Sequence, residues 1–71
     1  MPSEYSLSIV LEKIYENQLA LEAALMELVI LVEQQGNEAI GENARGALER
    51  IGENAGFIRQ GLAQLIAKEK D

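Results

Sequence analysis

Gln34-Gln35-Gly36-Asn37 is the one strong break in a chain that otherwise reads as helix. Gly36 can take the left-handed backbone that ends a helix, and Asn37 is a good cap for the next. Glu38 and Glu42 then fall near the positive end of a second helix, where negative charge is favoured. Upstream, Pro2-Ser3-Glu4 gives a start signal with Ser3 as the cap; downstream, Lys68 and Lys70 suit a last turn. The pattern predicts one helical-hairpin domain over 1–71: helix one about 4–34, turn 35–37, helix two about 38–69. Two helices of about 30 residues are roughly 45 Å long, and a short turn makes them antiparallel neighbours.

The string Ile-Gly-Glu-Asn-Ala occurs at Ile40–Ala44 and again at Ile51–Ala55, eleven residues on. Eleven residues are close to three helical turns, so both copies share one face of helix two. That helix carries a stripe at Gly41, Ala44, Leu48, Ile51, Ala55, Ile58, Leu62 and Leu65. Helix one offers Leu7, Leu11, Ile14, Gln18, Leu21, Leu25, Leu28 and Val32, with the alternating four and three spacing of a coiled coil. The two stripes are expected to face each other in the hairpin. Gln18 interrupts the second of them, with Asn17 beside it and Asn54 roughly level across the turn. These amides read either as a polar layer that fixes register or oligomer state, or as the lining of a pocket.

Helix two also holds Gly41, Gly46, Gly52, Gly56 and Gly61. Each costs a helix interior about 1 kcal/mol relative to Ala. Close packing at Gly52 and Gly56 would offset that cost; the alternative is a helix that bends or frays and orders on binding.

A hairpin core needs one stripe per helix, and helix one has a second, Tyr15, Leu19, Met26, Val29 and Ile30, bordered by Glu12, Glu16, Glu22, Glu27 and Glu33. Two helices cannot cover it, so it predicts an interface: two hairpins packed as a homodimeric four-helix bundle, or a protein partner. Phe57 falls away from the hairpin stripe, near Arg50, Glu53 and Gly61. An aromatic beside an arginine on an outer face has the composition of an interface hot spot. The expected partner-binding residues are therefore Phe57, Arg50, Tyr15, Leu19, Met26 and Ile30.

Composition closes other routes. The 71 residues include no cysteine and no histidine, which removes thiolate nucleophiles and the commonest metal ligand and general base. Glu12 and Glu16 lie four apart but face out, so no metal site, no cofactor and no enzyme activity are expected. The net charge of −6 argues against nucleic acid. Up to residue 35, six acids face Lys13 alone, whereas from 36 onward six acids meet five bases. The apolar run Leu19–Val32 contains Glu22 and Glu27 and falls short of the roughly 20 residues a membrane span needs. No secretory start is evident, and a cytoplasmic location is expected.

The sequence thus reads as a small, acidic, all-α protein-binding module of inhibitor, chaperone or adaptor type. In architecture alone it is similar to small acidic secretion chaperones and to compact phage-encoded inhibitors or nucleotide-sequestering proteins, with no shared motif. The rival readings are a homo-oligomeric sponge of phage anti-defence type, holding a small anionic ligand such as a nucleotide with Arg45, Arg50 or Arg59 plus Asn43 or Asn54, and a purely structural assembly unit.

Overall fold

The computed structural model describes residues 6–70, which form two packed antiparallel helices, α1 (Leu7–Gln34) and α2 (Glu38–Lys70). Ser6 caps α1, its hydroxyl accepting the Ile9 N–H at 3.4 Å. The cap expected at Ser3, and the start near residue 4, lie outside the described residues.

The turn is closed by backbone alone. Gly36 has φ +88°, its N–H donates to the Glu33 carbonyl at 3.0 Å, and the Asn37 N–H donates to the Val32 carbonyl at 3.2 Å. These two crossed bonds are a Schellman motif, which satisfies carbonyls that the ending helix would leave bare. The left-handed φ is why a glycine stands there. The Asn37 carbonyl then accepts the Gly41 N–H at 3.0 Å and starts α2.

Along α2 the seam falls where the spacing places it. Gly41, Leu48, Ala55 and Leu62, seven apart, are buried, and Ala44, Ile51 and Ile58 are half-buried beside them; Leu65 is exposed. Along α1 the seam is turned by about one residue from the expected stripe. Ser8 and Val29 are buried, and Leu11, Glu12, Tyr15, Gln18, Glu22, Met26, Val32 and Glu33 are half-buried. Leu7, Ile14, Leu21 and Leu28, expected to face α2, are instead 56–68% exposed. Tyr15, Met26 and Val29, expected on an outer stripe, face the hairpin. The reason is that α1 is apolar around most of its circumference, so periodicity alone does not select one face.

Two polar clasps join the helices in this alignment. Near the turn, Arg45 donates to both carboxylate oxygens of Glu33, Nε to Oε2 at 2.6 Å and Nη2 to Oε1 at 2.8 Å. At the other end the buried Ser8 hydroxyl donates to Glu69. Gly41 belongs to the first clasp, since a Cβ there would meet the Glu33 Cγ at 2.5 Å. Arg45 thus pairs across the turn rather than with Glu42 or Glu49 of its own helix. The other glycines are not close-packed. A Cβ at Gly52 would reach only the tip of Glu22, and at Gly46, Gly56 or Gly61 it would meet nothing.

Candidate functional site

One layer of two helices has two broad faces, and here they differ in chemistry. The Cα envelope measures 53 × 19 × 10 Å, so nothing covers either face. A folded domain ordinarily needs two layers to enclose a core. Among the described residues no large side chain is completely buried.

The first face is largely apolar, with Asn17, Gln18 and Glu22 as the polar residues of its middle cavity. Three cavities run along the groove between the helices. The one of about 250 Å³ towards the helix ends includes Leu11, Ile14, Gln18, Ile58 and Leu65. In the middle, one of about 300 Å³ includes Ile14, Gln18, Leu21, Leu25 and Ile51. Near the turn, about 190 Å³ lie between Leu25, Leu28, Val32, Ile40 and Ala44. The exposed Leu7, Ile14, Leu21 and Leu28 stand at seven-residue spacing along its α1 side. Phe57, 79% exposed, joins Gly61 at the rim of the first cavity. Arg50 lies seven residues before Phe57, two turns along the same stripe of α2.

The second face is charged. One cavity there is lined by Glu12, Tyr15, Glu16, Arg59, Leu62, Ala63 and Ile66, another by Glu22, Met26, Arg45, Leu48, Glu49 and Gly52. Leu19 and Ile30 are exposed. Leu19 shares its heptad position with Glu12, Met26 and Glu33, and Ile30 shares its own with Glu16, so both belong to this side. Met26 is half-buried and its sulfur accepts from Arg45 Nη1 at 3.8 Å. The six expected contact residues are therefore divided: Phe57 and Arg50 on the apolar rim, Leu19, Met26 and Ile30 on the charged side, and Tyr15 between the two. Sequence reasoning missed Leu7, Ile14, Leu21 and Leu28 as surface residues; their very regularity, which suits a helix with two neighbours, was the available signal.

Within one copy the arginines do not converge. Arg45 is held by Glu33, Arg59 borders Glu12 and Glu16, and Arg50 lies on the other rim. The Glu33–Arg45 hydrogen bonds hold the Glu33 carboxyl below its ordinary value of 4.5 and push the Arg45 guanidinium up. A carboxylate with a lowered folded pKa contributes stability above the unfolded pKa, and that contribution disappears as pH falls through the folded value. Glu33→Gln should therefore flatten the loss of melting temperature below about pH 4.5, relative to wild type, in circular-dichroism melts. The pair is exposed, so the effect at pH 7 is small.

Among the described residues no cluster of carboxylates is arranged to hold a metal ion, and no helix is long and apolar enough to cross a membrane. Fold and surface together define an all-helical hairpin with one apolar and one charged face. No protein family, curated protein or solved structure matches the chain.

Proposed function

We propose that this protein is a non-enzymatic protein-binding module that works as a homodimeric four-helix bundle and masks a surface on a partner protein. The observation that carries the assembly is the outward stripe Leu7, Ile14, Leu21 and Leu28, more than half exposed in the hairpin. Together with Leu11, Gln18, Leu25 and Val32 it is a regular bundle-core stripe. It points between α2 and the open side, as in a helix packed against two neighbours at once.

Area supports the same reading. The hairpin exposes 5745 Å², roughly 30% more than the ~4,400 Å² of a compact folded monomer of this mass. Two copies sharing that excess would bury on the order of 2,700 Å², in the range of obligate homodimers. A second copy of the same face would be self-complementary and would cover the Leu7, Ile14, Leu21 and Leu28 stripe.

With the apolar face covered, the surface left for a different protein is the Phe57–Arg50 rim and the charged side with Tyr15, Leu19, Met26 and Ile30. Aromatic and arginine anchors at a rim suit a hot spot. The testing experiment is native mass spectrometry of gently purified protein, followed by calorimetry with whatever protein co-purifies. Phe57→Ala should leave helical content and dimer mass intact and weaken partner binding by roughly 30-fold, the usual scale of a hot-spot truncation. A variant that loses the dimer instead would assign Phe57 to the self-interface and refute its partner role.

A further inference from the structure

Gln18 is the polar residue of the α1 bundle-core stripe, half-buried in the floor of the apolar groove. It borders both the Leu11–Leu65 cavity and the Leu21–Ile51 cavity, and so sits between the levels of Ile51 and Ile58 on α2. Among the described residues its side-chain amide makes no hydrogen bond, and neither does that of Asn54, which is exposed at the same level. Inside one hairpin the two amides leave each other unsatisfied and open to solvent. A second copy on this face would close the amides off from solvent, and a buried amide without partners is costly.

Its place along the stripe shows where the missing partners are. Gln18 lies eleven residues from Leu7 and fourteen from Val32, close to the midpoint of the apolar face. Full overlap of two faces with their turns at opposite ends brings the two Gln18 positions to within about 5 Å of each other along the bundle, amide-to-amide reach. A slip of one heptad moves one copy by about 10 Å and sets each amide against leucine and isoleucine. Apolar contacts are nearly indifferent to such a slip, whereas the amides are not.

We propose that Gln18 sets the register of the homodimer: the Gln18 amides of the two copies, backed by Asn54, form one polar layer at the centre of an otherwise apolar interface. The inference rests on the dimer reading above and goes beyond it by naming the residue that selects one arrangement.

Two variants test it beside wild-type protein. Gln18→Leu should tighten the dimer by roughly tenfold or more while the single set of amide NMR resonances becomes several, because register is no longer selected. Gln18→Glu should place two carboxylates together, so its dimer is roughly tenfold or more weaker at pH 7 than at pH 4, a pH dependence well beyond that of wild type. Sedimentation equilibrium at both pH values reads the affinities. A monomeric wild type would refute the dimer itself. A dimeric wild type whose Gln18→Leu form stays uniform, or whose Gln18→Glu form tracks the wild-type pH dependence, would overturn the register role alone.

Discussion

Leu21→Glu should convert the dimer to monomer at micromolar concentration and remove most of the helical circular-dichroism signal with it. Leu21 is 63% exposed in the hairpin, and a substitution at so exposed a site is ordinarily worth less than about 0.5 kcal/mol. The proposed bundle changes that expectation. Each copy then buries a leucine worth about 2 kcal/mol, and the interface contains it twice, so loss of the pair weakens association by about three orders of magnitude. The introduced carboxylates add a desolvation cost and face each other near the centre of the interface. Because the hairpin alone encloses so little core, helix and dimer should be lost together. Leu19→Glu, on the charged side, is the matched control and should keep its dimer. Light scattering after size exclusion, with circular dichroism on the same fractions, separates the outcomes. A Leu21→Glu protein that remains dimeric would show that the apolar face is not the self-interface.

The second large effect is a gain. Gly46→Ala combined with Gly56→Ala should stabilise the fold by about 2 kcal/mol, since each glycine inside a helix costs about 1 kcal/mol relative to alanine. Nothing stands within 4 Å of a methyl group at either position. Neither belongs to the apolar face, so the gain is expected without a change in dimer mass. Urea denaturation at fixed protein concentration measures it. A loss of stability would mean that another surface approaches these glycines in the assembled protein.

How much of this was legible in the residues differs sharply between the two helices. The turn was, because glycine takes the left-handed backbone at position 36 at least cost and Asn37 follows it. So was the seam of α2, where polar residues surround one apolar stripe and leave no alternative. On α1 the apolar residues wrap most of the helix, and several stripes are nearly equivalent. The observed alignment carries contacts that local sequence does not announce: Glu33 reaching across the turn to Arg45 over Gly41, and Ser8 meeting Glu69 from the far ends of the helices. The spacing sets the stripe Leu7, Ile14, Leu21 and Leu28 against α2, whereas in the hairpin it is exposed. A periodic pattern reports that a side is covered without saying whether the same chain or another copy covers it. For the candidate contact residues, spacing places Phe57 and Arg50 on α2 and Leu19, Met26 and Ile30 on a separate stripe of α1, and it does not say on which face of the hairpin each set stands.

The two clasps also order the events by which the chain assembles. Glu33 and Arg45 are 12 residues apart, Ser8 and Glu69 are 61. Closing the longer loop in one step from a disordered chain costs about 1.4 kcal/mol more entropy than closing the shorter. Once the turn and its ion pair have formed, each further heptad zips against its neighbour at little added cost, and the distant clasp closes last. Substitutions around Gly36, Gly41 and Arg45 should therefore act on the rate of folding, and those around Ser8 and Glu69 on the rate at which the hairpin opens, which stopped-flow refolding and unfolding would measure.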